Sequence, residues 1–381
     1  MSATEAGRPL ALERHDLDRL VETLRAGGAT VLGPRRRDHA VVIDEIETTA
    51  DLPVGWTDEQ QPGRYRLVPG REGELFGVRH GATSWKRVLD PPLRTLWRAR
   101  RDERGFTLED SGDPAPRLAL LGVRACDLAA LGVLDRVLGA GMVRDPRWVL
   151  ARENAFVIAV PCAAAGGTCF CASMGSGPAV TGGFDVRLTE LLADGAPTYV
   201  AEAGSERGSA VLATLDVRVA TDAECAAAAE VPARAAKAMG RALDTKDLPG
   251  RLAGSPDHPR WEDAAARCLA CGNCTSVCPT CFCHTITDVV SLDGTTAERV
   301  RACDSCFTAE FSYIHGGSVR TGTRARYRQW LTHKLAHWHT QFGVSGCVGC
   351  GRCITWCPAG IDITEEAAAV ARPAETHHAH T

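Results

Sequence analysis

The sequence "CLACGNCTSVCP" (268–279) decides the fold of the C-terminal part of this chain. Its four cysteines follow the spacing C-x2-C-x2-C-x3-C and are followed directly by Pro279. The same spacing returns in "CVGCGRCITWCP" (347–358), again with a proline after the last cysteine. Three thiols on one tight loop can hold one face of a metal centre, whereas the fourth lies on a segment that leads away. Each run therefore supplies ligands to two different centres.

This spacing is the one with which bacterial ferredoxins bind two [4Fe-4S] clusters, the fourth cysteine of each run binding the other cluster. The alternative is a pair of zinc sites, but these usually use paired C-x2-C units rather than three cysteines and C-P. The sequence thus predicts a bacterial-type dicluster ferredoxin-like domain over residues 251–381. The predicted ligands are Cys268, Cys271, Cys274 and Cys357 for the first cluster, and Cys347, Cys350, Cys353 and Cys278 for the second.

A long insertion (284–346), predicted to be helical, separates the two runs. Within and just before it lie four more cysteines, which would suffice for a third cluster: Cys281, Cys283, Cys303 and Cys306. Zinc or buried free thiols are the alternatives for this group. Residues 311–346 contain no acidic residue but carry five cations, Arg320, Arg324, Arg326, Arg328 and Lys334. These cations either offset the negative charge of clusters, dock an acidic partner, or form a solvated helix face.

Residues 1–250 have the pattern of a mixed α/β domain, and the Pro- and Gly-rich stretch 244–259 is the predicted linker. An amphipathic helix is predicted at 17–28, with short strands at 29–34 and 40–46. Two apolar strands at 117–123 and 155–161 flank a helix at 127–138. A strand–helix–strand order indicates that part of the sheet is parallel.

Two short words occur in both halves, "RACD" at 124–127 and 301–304, and "TCFC" at 168–171 and 280–283. In the first half they contribute to a set of four cysteines that would hold a fourth cluster: Cys126, Cys162, Cys169 and Cys171. Cys126 and Cys162 each follow a predicted strand, and neighbouring parallel strands end at one edge of a sheet. The alternatives are zinc, buried thiols and chance repetition. Asp127 and Asp304 are interpreted as helix caps rather than ligands.

The composition of the chain limits the classes of function that it can have. The chain has 381 residues, a net charge of −4 and 17 cysteines, of which only Cys225 is left outside the four sets, as a predicted core residue. The modest charge predicts no nucleic-acid partner, and the lack of a long apolar run predicts no membrane span and a cytoplasmic location. Thiols stay reduced there, which favours metal over disulfides. The sequence lacks the dinucleotide-binding motif G-x-G-x-x-G, the P-loop, and the hydrolase motifs G-x-S-x-G and H-E-x-x-H. No catalytic centre is therefore predicted.

Several segments together resemble a known family: "GVRACDLAAL", "PCAAAGGTCFCASMGSGP", "CPTCFC", "DSCF" and "CVGCGRCITWCPAGIDITEE". They are similar to the beta subunit of cytoplasmic NAD(P)-linked [NiFe] hydrogenases, the sulfhydrogenases, and to the electron-transfer subunit of anaerobic sulfite reductase. The resemblance implies an iron–sulfur subunit that relays electrons in a hetero-oligomer. Its partners would be the hydrogenase large and small subunits and a flavin- and NAD(P)-binding gamma subunit.

The match around "CFCASMGSGP" and "CITWCPAGIDITEE" favours the hydrogenase over the sulfite reductase relative. A different class of function is a stand-alone ferredoxin-like carrier or redox sensor. The large α/β domain attached to a small ferredoxin-like domain argues against such a shuttle.

Overall fold

The structure, a computed structural model, describes residues 7–79, 81–103, 105–110, 116–192 and 196–372. Its strands, in chain order, are β1 (Leu10–Leu12), β2 (Thr30–Arg37), β3 (Ala40–Glu45), β4 (Trp56–Gln61), β5 (Arg64–Pro69), β6 (Leu93–Asp102), β7 (Gly105–Asp110), β8 (Leu118–Val123), β9 (Phe156–Ala159), β10 (Val186–Leu191), β11 (Thr198–Ala203), β12 (Arg218–Val219), β13 (His284–Val290), β14 (Thr296–Cys303), β15 (Tyr313–Ile314) and β16 (Gly317–Ser318).

The helices are α1 (Arg14–Ala26), α2 (Lys86–Leu89), α3 (Ala125–Leu138), α4 (Pro146–Asn154), α5 (Glu206–Leu212), α6 (Asp222–Lys237), α7 (Leu248–Ala253), α8 (Arg260–Arg267), α9 (Asn273–Ser276), α10 (Thr323–Thr332), α11 (Trp338–Phe342), α12 (Arg352–Thr355) and α13 (Ile363–Val370). A short 3-10 helix covers Thr49–Asp51. A π-helical segment, His333–His337, joins α10 to α11 and makes them one continuous rod.

The main sheet has the strand order β12-β1-β11-β10-β9-β8-β2-β3. Its centre is parallel, because β2 pairs with β8, β8 with β9, and β9 with β10 in the same direction. Every residue of β8 and β9 is buried, as expected for parallel strands with helices on both faces. The predicted order of strand, helix and strand is confirmed by β8, α3 and β9.

Helix α1 confirms the amphipathic pattern seen in the sequence. Its buried residues Leu17, Leu20, Val21 and Leu24 repeat at helical spacing and pack against one face of the main sheet. Glu13 and Asp16 form a reciprocal capping box that begins the helix. Strands β2 and β3 follow at the two places predicted and pair as an antiparallel hairpin.

The long insertion is not the helical segment predicted for 284–346. Its first part is a β-hairpin, β13 and β14, which extends a second sheet with the order β13-β14-β6-β7. Strand β14 pairs antiparallel with β6 from the N-terminal half. The stretch "HTITDVV" is rich in β-branched residues, which favour strands. The stretch "TAERVRAC" has few of them and is paired with a strand on each side. Only 323–342 is helical, so the prediction was wrong for the first half of the insertion.

The predicted linker contains a folded helix. Helix α7 buries Leu248 and Leu252 in a second hydrophobic core, together with Trp261 and the aromatic residues of α10. This core also includes Phe170 from the N-terminal half. Since one core and one sheet each combine residues from both sides of residue 250, the two parts are closely interlocked. The division at residue 250 stays a prediction.

Candidate metal centres

The two cysteine runs adopt the same local conformation. In each run the residue before the second cysteine has a positive φ, 50° at Ala270 and 64° at Gly349. The glycine after that cysteine does too, with 74° at Gly272 and 77° at Gly351. A one-turn helix follows each of these glycines, α9 in the first run and α12 in the second. The repeated sequence is thus also a structural repeat, as in a dicluster protein.

The first set consists of Cys268, Cys271, Cys274 and Cys357, and all four line one cavity, which Cys353 of the second run also lines. Cys357 comes from the second run, so the structure brings together the residues predicted to share a cluster across the two runs. The amides of Ala270 and Ile361 donate to the sulfurs of Cys268 and Cys357, both at 3.4 Å. Amide hydrogen bonds to sulfur are a common feature of iron–sulfur sites, where they tune the potential.

The second set consists of Cys347, Cys350, Cys353 and Cys278. The Cys278 thiolate acts on the pKa of each of the other three, which places it beside the second run despite its origin in the first. Burial raises the pKa of Cys347 to about 12, although the Gly349 amide donates to its sulfur at 3.4 Å. Burial raises the pKa of Cys350 and Cys353 as well, because it disfavours the charged form. A hydrogen bond from the Cys281 thiol and the charge of Lys334 lower the pKa of Cys278.

The third set consists of Cys281, Cys283, Cys303 and Cys306. The β13–β14 hairpin creates it, because register pairing of His284 with Cys303 brings both ends of the hairpin together. Cys281, Cys283 and Cys303 line one cavity. A hydrogen bond from the Cys306 thiol lowers the pKa of Cys283 to about 7, which places the fourth thiol beside the others.

The fourth set consists of Cys126, Cys162, Cys169 and Cys171. Cys126 lies in the first turn of α3, directly after β8, and Cys162 follows β9, so the parallel strands bring them to one edge of the sheet as predicted. The charge of Cys162 raises the pKa of Cys126, Cys169 and Cys171, which places the four thiols close together. Burial raises the pKa of Cys171 to about 12.

The "TCFC" loop of the fourth set packs directly against the second run. The Phe170 amide donates to the Gly349 carbonyl at 2.8 Å, and the Ser176 hydroxyl donates to the Val348 carbonyl at 2.6 Å. A Cβ atom added at Gly351 would lie 2.5 Å from the Thr168 carbonyl oxygen. The fourth set therefore adjoins the second set through backbone contacts that leave no space for a side chain.

Gly351→Ala should destabilise the protein more than Gly272→Ala, by about 1–3 kcal/mol, the usual cost of overpacking. The two glycines hold equivalent places and nearly equal φ angles, so the strain of placing alanine there is shared. They differ in their neighbours, since a Cβ at Gly272 would meet only side-chain atoms, the nearest being the Ser305 hydroxyl oxygen at 3.3 Å. Thermal unfolding followed by circular dichroism tests this pair. Equal midpoints for the two variants would contradict the close approach of the loop.

The aspartates of the two "RACD" words are not helix caps, so this interpretation was wrong. Asp127 is the third residue of α3 and forms a buried ion pair with Arg352 of the second run at 2.9 Å. Asp304 accepts a hydrogen bond from the Ser305 amide, and no helix begins there. Burial opposes the charge of Arg352, but Asp127 raises its pKa above the ordinary value. The ion pair ties the N-terminal sheet to the second cysteine run.

The chemistry of the donors fits iron–sulfur clusters. All 17 cysteines are free thiols, and 16 of them fall into the four sets. In the described part of the chain, no three His, Cys, Asp or Glu side chains are arranged to hold a metal ion. A single zinc ion binds each sulfur at about 2.3 Å, which requires closely converging thiols. A cubane needs a wider arrangement, because its own iron and sulfide atoms lie between the thiolates.

Other buried or polar side chains lie outside the four sets. Cys225 is partly buried in α6 and packs beside a small apolar cluster, as predicted. His333 accepts a hydrogen bond from the indole of Trp338 at 2.8 Å, which is a packing role. Three buried cations beside the thiols, Lys334, Arg352 and Arg124, were not singled out individually. The signal for Arg352 was its position between two cysteines of the second run.

Comparison with known proteins agrees with this geometry. Residues 267–361 match the family model described as a 4Fe-4S dicluster domain, which covers both runs and the insertion. The class of the protein is therefore that of the iron–sulfur proteins. Sulfhydrogenase 2 subunit beta from Pyrococcus furiosus is 31% identical over an alignment of 314 residues, which covers 76% of this chain and 90% of that relative. The chain belongs to the family of sulfhydrogenase beta subunits. No solved structure matches it.

None of the helices in the described ranges combines the length and apolar character required to cross a bilayer.

Proposed function

We propose that this chain is the electron-transfer subunit of a hydrogenase-type complex and that it holds four [4Fe-4S] clusters, one in each thiol set. It would relay electrons between a [NiFe] hydrogenase module and a flavin- and NAD(P)-binding subunit. Membership of the sulfhydrogenase beta-subunit family and the dicluster domain support this role. The clusters would supply one-electron chemistry, and the protein would hold them and set their surroundings.

The observation that carries the proposal is that the four sets are neighbours. Cys274 of the first set lies close enough to Cys353 of the second to raise its pKa. Cys278 of the second set accepts a hydrogen bond from the Cys281 thiol of the third. The Cys169 thiol of the fourth set donates to the Cys350 carbonyl at 3.7 Å. The second set thus adjoins each of the other three, which is the arrangement expected of a relay with more than one end.

The test is the iron and acid-labile sulfide content of the anaerobically purified complex, together with its co-purifying subunits. We expect about sixteen irons in this chain, four for each set. About eight irons would leave only the two predicted ferredoxin-type clusters and contradict the third and fourth. Co-purification with a siroheme reductase in place of a hydrogenase pair would overturn the choice of partner. A chain that purifies alone at full iron content would favour the independent carrier.

A further inference from the structure

The ammonium group of Lys334 lies inside the protein among the thiols. Lys334 belongs to the π-helical segment and is 4% exposed. Its Nζ donates to the Thr280 hydroxyl at 2.8 Å and to the Gly346 carbonyl at 3.3 Å. It also lies 4.9 Å from the centre of the Trp338 ring. The Thr280 oxygen in turn lies 3.2 Å from the Cys278 sulfur, so one hydroxyl connects the ammonium to a proposed ligand.

No carboxylate of the described residues forms a salt bridge with Lys334, in contrast to the other buried cation beside the second set. That cation, Arg352, is paired with Asp127 at 2.9 Å. Leaving an ammonium inside a protein without an anion is strongly unfavourable. The groups of opposite charge that face Lys334 are the thiolates of Cys278, Cys281 and Cys347, which raise its pKa although burial opposes its charge.

These thiolates belong to two different sets. Cys278 and Cys347 are members of the second set, and Cys281 is a member of the third. The charge of Lys334 also acts to lower the pKa of Cys283 and Cys306 of the third set. One cation therefore lies at the junction of two sets. In the first set, burial and the other thiolates raise the pKa of Cys268 and Cys274, although the Ala270 amide counteracts this at Cys268.

We infer that Lys334 is a positioning residue whose fixed positive charge raises the reduction potentials of the clusters in the second and third sets together. The inference rests on the proposed function, because it concerns the clusters that these thiols would hold. Adding an electron makes a thiolate-bound cluster more negative, and a nearby buried cation stabilises that added charge. The shared cation would keep the two potentials close, so that an electron can be exchanged between the two sets in either direction.

Because of a second buried lysine, we expect the reduction potentials of the two sets to shift by different amounts. Lys86 is buried, and its Nζ donates to the Cys281 carbonyl at 2.7 Å, beside the third set. When Lys334 is neutralised, the third set keeps this cation, whereas the cation that remains beside the second set, Arg352, is already paired with Asp127. The potential of the second set should therefore fall further than that of the third.

The experiment is a redox titration of the full chain followed by EPR, comparing Lys334→Met and Lys334→Arg with the unmodified protein. We expect Lys334→Met to shift two signals to lower potential and to leave the first-set signal in place. Lys334→Arg keeps the charge and should keep both potentials. Arg324→Met is the matched control, because this cation of α10 is paired with Asp257 and Glu262 near solvent. It should shift no signal.

Unchanged potentials in Lys334→Met, or an equal shift of every signal, would overturn the inference. If that variant does not load with iron, Lys334→Gln takes its place, since its amide can still donate to Thr280 and Gly346, and unchanged potentials there would overturn it equally. Failure of this inference can be distinguished from failure of the proposed function. If the unmodified chain lacks the third cluster, its iron content shows this, and the shift of the second-set signal still decides the role of Lys334.

Discussion

Cys268→Ala and Cys357→Ala are expected to abolish one and the same EPR signal, although the two cysteines belong to different runs. Both thiols line one cavity with Cys271 and Cys274, and an amide donates to each of their sulfurs. A cubane that loses one of its four thiolates is no longer held, so each variant should lose about four irons per chain. Anaerobic iron analysis and EPR of the reduced protein measure both effects.

Two further variants separate crossed ligation from a general loss of stability. Cys278→Ala and Cys347→Ala should together remove the other ferredoxin-type signal and leave the first in place. Cys225→Ala is the matched control, because this thiol lies in α6 outside the four sets and its removal should change no signal. If Cys268→Ala and Cys357→Ala instead remove different signals, each run holds its own cluster and the crossed assignment is wrong.

The second large effect is expected for Cys169→Ser, which should lower the iron content of the full chain by about four. The Cys169 thiol is buried between the other cysteines of the fourth set and the second run. Serine retains the size of the side chain but is a poor ligand for iron in a cubane. The full chain is required for this measurement, because the "TCFC" loop is held by Gly349 and Val348 of the C-terminal half.

Cys225→Ser provides the control for Cys169→Ser, since it makes the same chemical change at a thiol outside the sets. An unchanged iron content in Cys169→Ser would show that the fourth set holds no cluster. The loss of one zinc ion in place of iron would identify it as a structural metal site. Either result would also reduce the "RACD" and "TCFC" repetitions to packing features.

The sequence was sufficient to predict those parts of the molecule whose signals are local. The spacing of the two runs predicted the dicluster domain, and two apolar strands around α3 predicted that Cys126 and Cys162 lie at one sheet edge. The β13–β14 hairpin was missed, because β13 is exposed along its whole length and β14 pairs with β6, in a distant part of the chain. The Asp127–Arg352 ion pair was missed for the same reason, since neither residue has a local signal for the other.

The burial of Lys334 could be anticipated only in part. Its segment is basic throughout, and sequence alone does not distinguish the cation that faces thiols from those that face solvent. Lys334 lies in the π-helical segment, where it is buried together with Leu335 and Ala336. Arg324, on the same rod, instead meets carboxylates near the surface. Such a difference depends on backbone geometry and not on composition.

The mixed origin of the second sheet determines when this protein can fold during its synthesis. Strand β6 leaves the ribosome long before β14, and cross-strand partners such as Arg98 and Glu298 are 200 positions apart. Until the late strand emerges, the nascent hairpin of β6 and β7 exposes a free edge, which is prone to pairing with other chains. Contacts of such high sequence separation also form slowly. The third thiol set is thus completed only after β14 has been synthesised, and successful iron loading would depend on protecting that edge until then.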